Sequence, residues 1–176
     1  LVNFTKKLFL ALHWCLNRYM IQGKIQKTWT TRDLKSLKFR EGDPSKTFSK
    51  KKIVQSTGTF ICNDLPKKFL AIAKKFKLEE SVVAVQKMEV GQILPWHKDG
   101  YITFIKNKQV KNKKNIVRII VFLDASLPGH QLWIGDRLCT GDAGTYFGWN
   151  YDTEHMAANL GKQDRYTLQI TGVKKD

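Results

Sequence analysis

The segment PWHKDGY, residues 95–101, contains two side chains that can bind a metal ion. His97 and Asp99 lie two positions apart, and residues i and i+2 of a β-strand face the same side. An imidazole and a carboxylate in one space are two of the three ligands of the 2-His-1-carboxylate sites that bind Fe(II). The spacing alone is a weak signal, because a surface turn can hold the same residues. A second histidine must come from elsewhere in the chain.

Two downstream histidines, His130 and His155, are available as the third ligand. His155 follows the predicted strand AGTYFGW, and Arg165 opens the predicted strand RYTLQITGV ten positions later. A short return of this kind would place the two strands side by side, so we predict that His155 completes the metal site. His130 stands beside a Pro-Gly pair and is interpreted as a loop histidine.

Arg165 opens a strand whose alternation places Thr167 on the same face. An inward-facing arginine with a hydroxyl two residues on can bind a carboxylate through two N–H groups and one O–H group. The pair therefore predicts a carboxylate-binding site next to the metal.

Arg118 lies in IVRIIVF, where both faces of the predicted strand are apolar. A buried guanidinium without a partner would cost several kcal/mol, so Arg118 needs an anion. The sequence leaves two sources open: a bound dicarboxylic acid, or a protein carboxylate such as Asp124 or Asp142.

The order of these motifs resembles that of the Fe(II)/2-oxoglutarate-dependent oxygenases, over about residues 85–173. The resemblance is greatest to the aspartyl/asparaginyl β-hydroxylase family, and it rests on PWHKD, VRIIVFLDASLPG, LWIGDRLCTGDAGTYF, TEH and RYTLQITG. The animal members of that family have a glycine where Asp99 stands. In having a carboxylate at this position, the sequence instead resembles the amino-acid and protein prolyl hydroxylases. Residues 1–80 carry no resemblance.

The resemblance implies a ligand set and a reaction. Fe(II) would be bound by His97, Asp99 and His155. The co-substrate 2-oxoglutarate would place its far carboxylate on Arg165 and Thr167, with Arg118 as a further carboxylate contact. It would react with O2 to give succinate and carbon dioxide. Three aromatic residues flank the site and either shape a substrate pocket or pack in the core: Trp96, Tyr101 and Trp149.

The resemblance favours a protein or peptide side chain as substrate, namely Asp, Asn or Pro, or else a free amino acid. The net charge of +16, from 31 Lys and Arg against 15 Asp and Glu, also allows an anionic partner. Two alternatives follow from it: an oxygenase of the same superfamily that modifies nucleic acid, or a non-enzymatic basic module that binds nucleic acid. Five lysines in residues 106–114 predict a solvated loop near the mouth of the metal pocket.

The cysteine pattern and the hydropathy indicate the cellular compartment in which we expect the protein. Cys15, Cys62 and Cys139 are far apart and form no CxxC motif, which is typical of a reduced, cytoplasmic protein. No apolar run is long enough to span a bilayer, so no membrane partner is expected.

The secondary-structure pattern predicts one domain over residues 1–176, with a helical and irregular support region (1–80) and a jelly-roll catalytic core (81–176). Helices are predicted for residues 4–20 and 65–78, the second capped by Asp64. From residue 81 the chain is rich in β-branched residues, and Gly135-Asp136 predicts a hairpin. The predicted fold is mainly β with N-terminal helices: a double-stranded β-helix, or jelly roll, flanked by helices.

Overall fold

The computed structural model describes residues 20–175, which form eleven strands and three α-helices. The strands are β1 (Met20–Lys24), β2 (Arg40–Glu41), β3 (Phe60–Cys62), β4 (Glu79–Met88), β5 (Ile93–His97), β6 (Ile116–Phe122), β7 (His130–Ile134), β8 (Arg137–Leu138), β9 (Thr145–Asn150), β10 (His155–Asn159) and β11 (Arg165–Val173). The helices are α1 (Thr31–Lys35), α2 (Lys67–Lys74) and α3 (Ile102–Lys108). Short 3-10 turns occupy Pro44–Lys46, Lys50–Lys52 and Lys113–Asn115.

The strands form two antiparallel sheets. The major sheet has seven strands in the order β1-β9-β6-β11-β4-β3-β2, and the minor sheet has four in the order β5-β10-β7-β8. Two antiparallel sheets with few helices confirm the prediction of a mainly β fold, consistent with a jelly roll. Whether residues 1–176 form one domain stays a prediction.

The centre of the major sheet is β6, in which all seven residues are buried. Its alternating side chains divide between two cores. On the outer face, Ile119 and Val121 pack in one cluster with Phe69 and Ile72 of α2. On the inner face, Ile120 and Phe122 belong to a second cluster that fills the space between the two sheets. The minor sheet contributes Leu132, Ile134 and Ala157 to that cluster. The functional side chains project into this same gap.

The region from Met20 to Cys62 supplies both edges of the major sheet and a cover. β1 pairs with β9 at one edge, and β2 and β3 extend the sheet beyond β4 at the other. Between β2 and β3, residues 42–59 lie over the gap between the sheets. This segment, which we call the cover, contributes Thr47, Phe48 and Thr59 to the lining of that gap.

Several local predictions need correction. The helix predicted for residues 4–20 lies outside the described residues, except for Met20, which begins a strand. The second predicted helix runs only from Lys67 to Lys74, and its N-cap is Pro66, not Asp64. Of the two predicted N-terminal helices, the structure therefore supports only the second, as the short α2, whereas α1 was not predicted.

The hairpin prediction is confirmed, because β7 and β8 pair across a turn in which Gly135 has a positive φ of 58°. The lysine-rich segment is not simply a loop. Residues 102–108 form α3, bounded at both ends by left-handed residues, Tyr101 and Gln109. Among the helices of the described residues, none has the length and apolar character that crossing a bilayer requires.

Candidate metal centre

Strand pairing brings the two predicted histidine ligands together. β5 and β10 pair antiparallel, with His97 directly opposite His155. Asp99 follows two residues beyond the end of β5 and turns back toward both rings. Its Oδ1 lies 3.7 Å from Nε2 of His97, and its Oδ2 lies 3.6 Å from Nε2 of His155. The ligand atoms of all three residues lie within 4.8 Å of one another, so one metal ion could contact all of them.

Backbone hydrogen bonds orient both imidazole rings. Nδ1 of His97 lies 2.6 Å from the carbonyl oxygen of Pro95, and Nδ1 of His155 lies 3.0 Å from that of Thr153. Because a carbonyl only accepts, each Nδ1 carries the proton, and the lone pair of each Nε2 faces the cluster. This is the tautomer that binds a metal through Nε2.

The electrostatics also suit a cation. Burial, opposed by the charge of Asp99, lowers the pKa of His155 to about 4, so this imidazole is neutral at pH 7. Burial by itself would raise the pKa of Asp99. The charge of Arg118, together with both histidines, outweighs burial and lowers that pKa to about 2. A neutral imidazole next to an ionised carboxylate fits Fe(II) and similar divalent metals.

Arg118 has a partner that the sequence does not indicate. Its Nε and Nη2 both donate to Oδ2 of Asp99, at 3.1 and 2.7 Å. The alternative partners considered from the sequence are not used: Asp142 pairs with Lys24, and Asp124 makes no salt bridge with Arg118. The ring of Tyr101 covers the guanidinium, 5.0 Å from its centre. Arg118 therefore holds the candidate metal ligand Asp99 in place.

Arg165 is also buried, but no ion pair neutralises it within the described residues. Its Nη2 has no hydrogen-bond partner there, and its guanidinium lies 5.5 Å from the ring of Phe122. Burial lowers the pKa of Arg165 to about 10, so the side chain is still a cation at pH 7. Thr167, only 3% exposed, faces the same space. An orphaned, buried guanidinium beside a hydroxyl fits the carboxylate of a small ligand.

Two cavities meet at the Asp99–Arg118 pair. The inner cavity, of about 190 Å³, lies between the sheets under the cover and contains the His97, Asp99 and His155 cluster, Arg165 and Thr167. The outer cavity, of about 410 Å³, lies between α3 and the major sheet and is lined by Tyr101, Gln169 and Thr171 among others. Asp99, Arg118, Thr47 and Gln169 line both.

The three aromatic residues predicted near the site occupy different places. Trp149 is buried in the inner cavity, with its ring centre 4.8 Å from that of His155. Tyr101 is buried and lines the outer cavity. Trp96 is 39% exposed and lines neither cavity.

Phe48, in the cover, is a site residue that the sequence analysis missed. Its ring packs edge-on against His97, with ring centres 4.7 Å apart, and it is 5% exposed. A signal for it exists, because Phe48 is the only large apolar residue in the polar, lysine-rich stretch 40–52. A lone phenylalanine in such a stretch indicates a residue that packs inward.

No protein-family model and no curated protein matches the sequence. Solved structures do match the fold. A Pseudomonas putida prolyl-4-hydroxylase aligns over 95% of this chain and 96% of its own, with a TM-score of 0.61 and 14% identity. An oxidoreductase of the 2OG-Fe(II) oxygenase family from Burkholderia pseudomallei aligns over 93% and 89%, with a TM-score of 0.60 and 9% identity.

A third solved structure is SnoN, a non-heme alpha-ketoglutarate-dependent epimerase from nogalamycin biosynthesis. It aligns over 94% of this chain and 82% of its own, with a TM-score of 0.62 and 10% identity. At these identities, the three likenesses establish a shared fold over nearly the whole chain. None of the three is described as an aspartyl/asparaginyl hydroxylase, so they do not support the finer resemblance.

Proposed function

We propose that this protein is an Fe(II)- and 2-oxoglutarate-dependent oxygenase. One observation carries the proposal: a cluster of two histidines and one carboxylate shares a buried cavity with an unpaired arginine. The first feature fits the metal, and the second fits the far carboxylate of the co-substrate. The common fold with a prolyl-4-hydroxylase, a 2OG-Fe(II) oxygenase and an alpha-ketoglutarate-dependent epimerase supports this proposal.

Each residue of the inner cavity then has a task. His97, Asp99 and His155 bind Fe(II), which supplies the oxygen chemistry when 2-oxoglutarate and O2 are present. Arg165 and Thr167 bind the far carboxylate of 2-oxoglutarate. We assign Arg118 to orient Asp99 rather than to bind the co-substrate, because both of its hydrogen bonds go to that carboxylate.

Aromatic side chains cover two sides of the cluster. Phe48 covers one side of His97, and Trp149 lies against His155. Both aromatic side chains are almost fully buried. Excluding water strengthens every charge interaction in the inner cavity, because the local dielectric constant is low.

Two substrate classes are compatible with this reaction. The resemblance of the motifs favours an Asp, Asn or Pro side chain in a protein or peptide, or a free amino acid. The second class is a base in a nucleotide or nucleic acid. The charge of +16 and the neutral hydrogen-bonding side chains that line the outer cavity favour this class. A non-enzymatic basic module is the alternative that does not need the metal at all.

The test measures Fe(II) binding under anaerobic conditions, together with succinate formation from 2-oxoglutarate. We expect one Fe(II) per chain in the parent and none in His155→Ala. The matched control is His130→Ala, whose imidazole contacts backbone groups of Leu127 and Gln163 away from the cluster. Circular dichroism verifies that both variants fold.

Loss of metal in His130→Ala as complete as in His155→Ala would show that the third ligand is misassigned. Absence of both metal binding and succinate in the parent, with salt-dependent binding to a polyanion that a chelator leaves unchanged, would favour the non-enzymatic module.

A further inference from the structure

The outer cavity lies beside the candidate metal cluster, between α3 and the major sheet. No residue of α3 is fully buried, and Ile102, Phe104 and Asn107 of this helix line the cavity. The volume of about 410 Å³ is within the usual range for small-molecule sites. Asp99 lines both cavities, so a group bound in the outer cavity would lie next to the cluster.

The polar groups of the outer cavity are uncharged or already paired. Arg118 is neutralised by Asp99, and Lys108 pairs with Glu80 at 3.1 Å. The other hydrogen-bonding side chains along the wall are neutral: Thr47, Tyr101, Thr103, Asn107, Gln169 and Thr171. A carboxylate or an ammonium group would find no free counter-charge among these residues, whereas an uncharged hydrogen-bonding group would find partners.

The hydroxyl of Tyr101 points to a missing ligand. Tyr101 is 8% exposed, and its hydroxyl makes no hydrogen bond of good geometry within the described residues, although it lies close enough to Arg118 and Asp99 to interact weakly with both. A buried hydroxyl without a partner costs about 1–3 kcal/mol. A polar ligand in the outer cavity would remove that cost.

The exposed rim of the outer cavity contains apolar residues as well as polar ones. Ile102 is 77% exposed and Val82 is 46% exposed, and both line the cavity. A ligand with hydrogen-bonding edges and apolar faces would match both the neutral polar wall and this rim. A heterocyclic base has that combination.

Lys106 lies in α3 next in sequence to the lining residue Asn107, and Lys111 and Lys114 follow the helix. We call these three exposed lysines the lysine collar. Residues 102–115 contain no acidic residue, so the collar has no local counter-charge. Lysine binds phosphate as a point charge, and a cluster of this kind attracts a phosphate-bearing chain in a salt-dependent manner.

We infer that the outer cavity binds a nucleobase whose phosphates lie on the lysine collar, in a free nucleotide or in single-stranded nucleic acid. This inference rests on the proposed function and names its substrate class. The reaction would convert one C–H bond of the nucleotide to C–OH. O2 and 2-oxoglutarate are consumed, and succinate and carbon dioxide are released. One oxygen atom enters the nucleotide and the other enters succinate.

The experiment measures the affinity of the Fe(II)- and 2-oxoglutarate-loaded protein, without oxygen, for two labelled probes by fluorescence anisotropy. One probe is a single-stranded 12-mer, and the other is the same backbone without bases. Tyr101→Phe removes only the hydroxyl, so we expect it to weaken the base-bearing probe about three- to tenfold and to leave the abasic probe unchanged. Thr171→Val provides a second variant of the same kind.

The collar variant replaces Lys106, Lys111 and Lys114 with serine. It should weaken both probes and lower the slope of log affinity against log salt by up to about 2, since each phosphate contact on a single strand contributes about 0.7. The matched control replaces three exposed lysines of the α2 region, Lys67, Lys74 and Lys75, with serine. α2 packs on the outer face of the major sheet, so the control should retain the affinity and the slope.

The outcomes separate the occupants of the cavity. Equal affinity for the base-bearing and abasic probes would overturn the inference. So would binding of an acidic peptide containing Asn and Pro that depends on the Tyr101 hydroxyl when oligonucleotide binding does not. A Tyr101-dependent affinity for a nucleoside monophosphate would support a free nucleotide, and such an affinity for the 12-mer alone would support nucleic acid.

Co-substrate binding, measured in the same samples, keeps the two proposals distinguishable. Intact binding of Fe(II) and 2-oxoglutarate with no base-dependent affinity would overturn this inference alone. Base-dependent affinity without binding of either Fe(II) or 2-oxoglutarate would overturn the proposed function instead.

Discussion

Arg118 and Arg165 lie on the neighbouring strands β6 and β11, both buried and both facing the gap between the sheets, yet their surroundings differ. Arg118 donates two hydrogen bonds to Asp99. Arg165 has no carboxylate partner within residues 20–175, and its Nη2 donates to none of their atoms. Burial lowers the pKa of Arg165. For Arg118, the nearby Asp99 outweighs burial and raises the pKa.

The difference separates a structural ion pair from a binding group. A paired buried arginine stabilises the folded chain, because its removal would strand a charge. An unpaired buried arginine destabilises the folded chain until an anion binds to it, so such an arginine indicates a ligand-binding site. Two predictions test this distinction, and a third tests the burial of His155 beside the Asp99–Arg118 pair.

The largest effect on stability is expected for Arg118→Met. This change leaves the carboxylate of Asp99 buried without its counter-charge, which should lower the free energy of unfolding of the metal-free protein by about 3–5 kcal/mol. Urea denaturation measures the loss. The double variant Arg118→Met with Asp99→Asn should recover most of it, because no charge is then stranded. If Arg165→Met costs the metal-free protein as much as Arg118→Met, the distinction between the two arginines is wrong.

The second prediction concerns co-substrate affinity in Arg165→Lys. Lysine cannot reproduce the two-pronged contact of a guanidinium. The binding free energy of 2-oxoglutarate should fall by about 2–5 kcal/mol, a loss of about 30-fold to several thousand-fold. Isothermal titration calorimetry on the metal-loaded protein measures it. Thr167→Val should cost only about 1 kcal/mol, because it removes one hydroxyl. Unchanged affinity in Arg165→Lys would rule out the carboxylate site.

The third and smallest effect is the pH dependence of the free energy of unfolding, which arises from His155 next to the Asp99–Arg118 pair. In the metal-free folded chain, the pKa of His155 is about 4, below its ordinary value of about 6.5. Between these two pH values the unfolded chain binds a proton that the folded chain does not. Stability should therefore fall, by about 3 kcal/mol in total, as pH drops from 6.5 to 4. Asp99 also has a lowered pKa, but its contribution is lost only below about pH 4.

Urea denaturation at a series of pH values, with a chelator present, measures this dependence. His155→Asn cannot titrate, so the fall between pH 6.5 and 4 should be much smaller in that variant. An identical fall in parent and variant would mean that His155 is not buried as a neutral imidazole.

The sequence alone was sufficient to group His97, Asp99, His155, Arg165 and Thr167, and the structure brings all of them into one cavity. Strand alternation is a local rule, and it correctly placed Arg165 and Thr167 on one face of β11. The prediction that the strands before and after His155 are neighbours is wrong, because β6 lies between β9 and β11 and His155 lies on β10 of the minor sheet. The roles of these residues as ligands stay predictions that the metal and co-substrate measurements test.

What the sequence could not indicate depends on contacts across the gap. The partner of Arg118 is Asp99, 19 residues away, and the turn after β5 decides where that carboxylate points. Phe48 contacts His97 from the cover. The sequence of the cover has no helical or strand periodicity from which its position could be predicted. The helix α3 was not predicted because its segment is rich in lysine. A lysine-rich composition indicates that the side chains are exposed to solvent, but it does not show whether the backbone is helical.

The buried charges of the inner cavity have a consequence for how its ligands bind together. Asp99, Arg118 and Arg165 carry one net positive charge at neutral pH. A divalent metal adds two positive charges, and a dicarboxylate removes two, so the cavity returns to its starting charge only when both are bound. Charges interact strongly in a buried site. Under the proposed function, metal and dicarboxylate should therefore be thermodynamically coupled: each should raise the affinity of the other, and by the same factor in either direction.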